Sequence, residues 1–149
     1  MNPNPLNTFD DLLKHLSKSD EDAPIDPGAD ADLKISDLIF KVGNSAQRLQ
    51  KLLDLEAPQP IIDNETHLLK KRLVALNLNR NRMIFVEYVK SSDMGKMMKL
   101  FLKVNSQNPR KISEMIWDNR VPICVEIFKK ISKEEGREEW KDEEEEGKE

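Results

Sequence analysis

Cysteine, histidine, glycine and aromatic residues are all scarce in this chain of 149 residues. A single cysteine, Cys124, excludes an intrachain disulfide and fits a reducing compartment. The two histidines, His15 and His67, are too few and too far apart for a zinc site, so no metal is expected. The five glycines are scattered, and neither G-x-x-x-x-G-K-[ST] nor G-x-G-x-x-G occurs; Gly95-Lys96 alone is no phosphate loop. No apolar run approaches the roughly 18–20 residues of a membrane span. The first residues, M-N-P-N-P-L-N-T, lack the basic-then-apolar order of a signal peptide. A soluble intracellular protein with no cofactor is expected.

Catalytic constellations are absent as well. Ser91 and Ser92 have no sequence-linked base, and Cys124, between Ile123 and Val125, reads as an inert core thiol. Most carboxylates lie in the charged ends, where no pair is held in fixed geometry for acid–base work. No enzyme is expected.

What the chain has in abundance is charge, at 35% of residues against 38% hydrophobic. That balance predicts one compact core with disordered, charged ends. The net charge of −4 conceals a segregation. Residues 67–120 hold twelve Lys or Arg and four acids, a balance of +8, so the remainder carries −12. A basic centre between acidic ends attracts acidic or nucleic-acid partners, and its own tails compete for it.

Residues 1–32 read as a disordered acidic region containing one short amphipathic segment, residues 6–18. There Leu6, Phe9, Leu12, Leu13 and Leu16 share a helical face, with Asn7 or Thr8 as cap. That segment either packs on the core or folds on a partner. The acidic, proline-bearing stretch beyond it has nothing to bury. The folded domain is predicted over residues 33–132, followed by a disordered acidic tail over 133–149 in which Trp140 is the one notable residue.

Within the domain, Ile35, Leu38, Ile39, Val42, Ala46, Leu49, Leu52 and Leu53 make a helical stripe of about five turns. Gly43 interrupts it as a weak spot, costing about 1 kcal/mol against alanine. Pro58 and Pro60 are read as the stop. Asp63-Asn64-Glu65-Thr66 then offers caps for a helix starting near Thr66 or His67, ending about residues 79–82; this suits Asn64-Glu65-Thr66 better than glycosylation. A short helix follows over about 83–90. Pro109 suits the first position of another, bearing Ile112, Met115, Ile116 and Asn119 with Trp117 beside the stripe. Pro122 either kinks that helix or starts one with Ile123, Val125, Ile127, Phe128 and Ile131. No strand-like alternation occurs. The predicted class is all-α, a compact right-handed bundle of short helices.

The stretch read as the organiser runs over residues 87–103, E-Y-V-K-S-S-D-M-G-K-M-M-K-L-F-L-K. Ser92 or Asp93 supplies an N-cap, and Met94, Met97, Met98, Phe101 and Leu102 form one apolar face. Gly95 allows either a positive φ or a close helix approach.

Residues 60–96 resemble the N-terminal (LW) domain of transcription elongation factor S-II, most of all its version in the Iws/Spn-type elongation factor that partners Spt-six. That family has a Pro-x-x-Asp-Gly turn, an amphipathic helix, then E-H-L-K-x-S-G-[IL]-G-[KR] and an apolar helix. Pro60 and Asp63 match the turn, with Asn64 in the glycine place. Glu87, Lys90, Ser92, Met94, Gly95 and Lys96 match the second motif without a gap. Trp117, Arg120, Pro122 and Ile123 are similar to a closing W-S-R-P-[IL] signature, longer here by two residues. Asp93 replaces a family glycine, and Ala57 stands where a tryptophan is usual.

The resemblance implies a nuclear, non-catalytic transcription elongation scaffold within the RNA polymerase II elongation machinery. It implies a groove beside the Gly95 turn, rimmed by basic residues, that binds a disordered N-terminal segment of an Spt-six-type histone chaperone. Carried over residue by residue, Lys96, Met97, Leu100, Phe101 and Lys103 line that partner site, although Leu100 and Phe101 also fit a core. Two other classes fit the residues: a helical oligomeric assembly protein of viral or phage packaging type, and an accessory factor making weak nucleic-acid or histone contacts.

Overall fold

The computed structural model describes residues 33–96 and 109–136. Within them the protein is an all-α bundle, and no strand occurs among the described residues. We number the helices α1 (Ile35–Asp54), α2 (Gln59–Asn77), α3 (Asn79–Ser91), α4 (Pro109–Asp118) and α5 (Arg120–Glu135). Residues 93–96 add a further helical turn after α3. The acidic N-terminal region with its segment 6–18, and the tail from 137, lie outside the described residues.

Among the described residues the bundle is built on α1; residues 97–103 of the stretch read as the organiser lie outside them. The α1 stripe buries Leu38, Ile39, Val42, Ala46 and Leu49 completely, and the helix packs along both α2 and α5. Its ring Phe40 meets Phe128 of α5 at 4.8 Å between centroids. Directly beside that pair sits Gly43, which is no weak spot. A Cβ built there would lie 2.5 Å from Phe128 Cβ and closer still to the Cys124 carbonyl oxygen. Glycine is what lets α1 and α5 cross this closely.

Helix α1 ends at Asp54 before either proline is reached. Glu56 takes a left-handed φ of 53°, while its amide donates to Leu53 O (3.1 Å) and the Ala57 amide to Leu52 O (2.9 Å). This pair of bonds is the Schellman closure, with glutamate where glycine is usual. Pro58 then caps α2, and Pro60 falls in its first turn, where a missing N–H costs nothing.

The start predicted near Thr66 is therefore about seven residues late. Asp63 is an exposed mid-helix residue that accepts from Gln59 Nε2 at 2.8 Å, and Thr66 Oγ1 donates back to Ile62 O. The Pro60–Asp63 turn is not formed. Likewise the N-R-N run at 79–82 belongs to α3. A single extended residue, Leu78, separates α2 from α3, and buried Asn81 ties the corner by donating to Ala75 O at 2.9 Å.

Two arginines of the basic stretch 67–120 lie inside. Arg72 is buried between α2 and α1, donating to Lys41 O at 3.3 Å and to Ser45 Oγ. Arg120 is buried on Trp117, donating to Trp117 O at 3.0 Å. Trp117 is core as well, not beside a stripe: it meets Phe85 edge-on at 5.9 Å and carries the Arg82 and Arg120 guanidiniums over its ring. Met115, expected on the stripe, is exposed instead.

Pro109 opens α4 as its first residue, and Pro122 sits in the first turn of α5 without kinking it. The last helix runs to Glu135, three residues into the stretch read as tail, and stops where Gly136 turns left-handed at φ 65°.

Candidate functional site

The exit from α3 is built by one serine. Ser92 is extended (φ −81°, ψ 167°) and caps the turn that follows. Its Oγ accepts the Gly95 amide at 3.1 Å and donates to Val89 O at 2.6 Å, while Lys96 N donates to Ser92 O. Of the two caps the sequence offered, Ser92 is used, and Asp93 is freed for another role.

Gly95 is buried and pressed on the end of α3. A Cβ there would overlap the Val89 carbonyl oxygen and come within 2.8 Å of Lys90 Cα. Its φ is not positive, so of the two reasons offered for glycine the operative one is close approach. Replacing Ser92 by alanine removes the cap, at about 1 kcal/mol. Amide exchange of Gly95 is expected to quicken about fivefold, the equivalent of that energy.

Beside this turn lies a groove of about 810 Å³ between the end of α3 and the second half of α5. Tyr88, Met94, Ile127 and Ile131 give it apolar walls. Its described rim is mixed rather than basic, with Asp93, Glu126 and Glu134 against Lys130. The basic rim expected of this groove is therefore not found among the described residues.

Lys130 and Asp93 close one edge by an ion pair at 2.9 Å that ties α5 to the capped turn. The hydrogen bond from Lys130, its charge, and then the charge of Lys96 hold Asp93 below its ordinary pKa; Lys130 is raised in return. The depressed carboxylate pKa means the tie is complete above the unfolded aspartate value and is lost as pH falls through the folded one. In a carboxyl-carbon NMR titration, Asp93 is expected to titrate below ordinary aspartate, and Lys130→Met to bring its midpoint back up.

The predicted site residues are only partly brought together. Lys96 is exposed at the end of the capped turn but does not line the groove. Met97, Leu100, Phe101 and Lys103 lie outside the described residues. Of the motif residues, Ser92 and Met94 line the groove, and Gly95 holds the turn beneath it. Glu87 is exposed on α3, 3.6 Å from Lys90, and opens on other cavities. Trp117 and Pro122 sit at the α4–α5 corner, Trp117 as core. Pro60 and Asp63 belong to α2.

Sequence reading missed the α5 half of the groove, Glu126, Ile127, Lys130 and Ile131. The available signal was the amphipathic spacing of Ile127 and Ile131, which marks a buried face without saying what it faces.

Among the described residues, no group of three or more His, Cys, Asp or Glu is placed to hold a metal, and no helix is long and apolar enough to cross a membrane. Cys124 is buried, and burial pushes its thiol pKa far up, so it is no nucleophile. Comparison with protein-family models, with curated proteins and with solved structures finds no match for this chain.

Proposed function

We propose that this protein is a non-catalytic scaffold whose groove beside the Ser92–Lys96 turn receives a short disordered segment of a partner. The observation that carries the reading is the apolar groove itself, set against a turn that a serine cap and a buried glycine hold in place. An open cleft of that size, with apolar walls and charges at its edge, suits one anchoring side chain and a few flanking residues.

The resemblance of residues 60–96 to the LW domain gives the partner: an acidic N-terminal segment of an Spt-six-type elongation factor, in the nucleus. After Arg72 and Arg120 are assigned to the core, Arg80, Arg82, Lys96, Arg110 and Lys111 remain exposed. Such charges speed the encounter with an acidic segment more than they tighten it. The anchor itself contacts the apolar walls, and its acidic neighbours run toward Lys96, away from Glu126 and Glu134.

Calorimetric titration of the full chain with that segment tests the reading. Micromolar binding is expected, weakened about tenfold by Lys96→Glu, which corresponds to about 1.4 kcal/mol. No heat from a well-folded protein would sink the proposal.

A further inference from the structure

A second apolar surface remains, on α3 and the start of α1, next to the partner groove. Met83 and Ile84, 66% and 38% exposed, line a shallow depression of about 470 Å³ with half-buried Ile35 and Tyr88. Only Glu87 and Ser91 add polar groups to its described lining. Adjacent exposed methionine and isoleucine on a small protein mark a surface that something covers.

We infer that the strip is covered by the chain's own residues 6–16, docked as a short amphipathic helix. Three observations favour this occupant. The first is chemical, since Leu6, Phe9, Leu12, Leu13 and Leu16 form one apolar helical stripe. The second is where the chain enters the bundle. Ile35, the first residue of α1, is itself part of the strip, so everything N-terminal to it is tethered at the strip's rim.

The third observation is length. Eighteen residues, 17–34, separate segment from strip, and a flexible chain of that length reaches about 21–25 Å. Such a tether holds the segment at an effective concentration in the millimolar range, so weak docking is enough to keep the strip covered. The other exposed apolar pair, Leu55 and Ile61, competes poorly. It lies at the far end of α1, about 30 Å away, in a cavity lined by Arg48, Lys51, Asn64 and Glu65. This inference does not depend on the partner assigned to the larger groove, although the two surfaces share Tyr88 and Ser91.

A nitroxide placed on the full chain through Ser17→Cys tests it, because fully buried Cys124 leaves the new thiol as the one that reacts. Amide signals of residues 83–88 are expected to be lost selectively. They are expected to return when Leu12→Asp and Leu13→Asp are added, since two carboxylates cannot be buried on an apolar strip. Signal loss that survives the two aspartates overturns the inference, as does loss spread evenly to Leu55 and Ile61, or none at 83–88. Mixing nitroxide-bearing chains with isotope-labelled, nitroxide-free chains separates the remaining case. Loss at 83–88 in the mixture gives the strip to a second copy and overturns docking in cis.

Discussion

Trp117→Ala is expected to cost about 3–5 kcal/mol, the range for removing a large buried aromatic from a core. Three contacts go together in this case. The ring fills the space against Phe85, and it carries the Arg82 guanidinium at 4.6 Å and that of Arg120 at 4.4 Å. Arg82 is exposed and loses little. Arg120 is buried, so without the ring its guanidinium faces a void instead of a π surface. Because α4 meets α3 and α5 through this residue, the loss loosens the α4–α5 corner as a unit. Trp117→Phe keeps an aromatic face for the arginines and is expected to cost less than half as much. Urea unfolding at constant m-value measures both. A tryptophan lying beside the stripe, as the spacing alone suggests, would give less than about 1 kcal/mol.

Gly43→Ala has an expected sign opposite to the one helix propensity gives. In an exposed helix the change would gain about 1 kcal/mol. Here the new methyl meets a backbone carbonyl oxygen, that of Cys124, and the root of a side chain, Phe128 Cβ, neither of which is free to swing away. Helices α1 and α5 must separate along their contact, opening the Phe40–Phe128 pair and the fully buried Val42 and Cys124. Overpacking of this kind costs typically about 1–3 kcal/mol. With both obstacles fixed, a net loss of about 2–3 kcal/mol is expected, read as a lower urea midpoint. A rise in midpoint would mean that the crossing is not where the structure puts it.

These two residues show what the sequence carried and what it withheld. Period and capping chemistry are local, so the stripe of α1, the start of α4 at Pro109 and the Ser92 cap were legible. Which helix crosses another, and where, is not local. Gly43 looked like a defect because its reason lies about eighty residues away in α5. The start of α2 was misplaced for a different cause. Pro58 and Pro60 serve equally as the end of one helix or the first turn of the next, and the Schellman closure at Glu56 uses no glycine to announce itself. The burial of Arg72 and Arg120 was not legible, because charge gives no sign of burial until its partners, Lys41 O, Ser45 and Trp117, are known.

The candidate site divides along the same line. A groove beside the Gly95 turn was read from the motif, whose Ser92 and Met94 line the one described. Lys96 does not, and the other four carried-over residues lie outside the described ones. The groove's distant half, on α5, was not read at all. The basic rim came with the resemblance, and Glu126 and Glu134 across the groove were not visible to correct it.

The most direct test of the account maps the partner segment onto the full chain by amide chemical shifts during titration with the acidic Spt-six-type segment. Saturable shifts centred on Tyr88, Ser92, Met94, Ile127, Lys130 and Ile131, and reaching Lys96, are predicted, on both walls of the groove at once. Shifts centred elsewhere, or confined to the exposed arginines and abolished by modest salt, would contradict it.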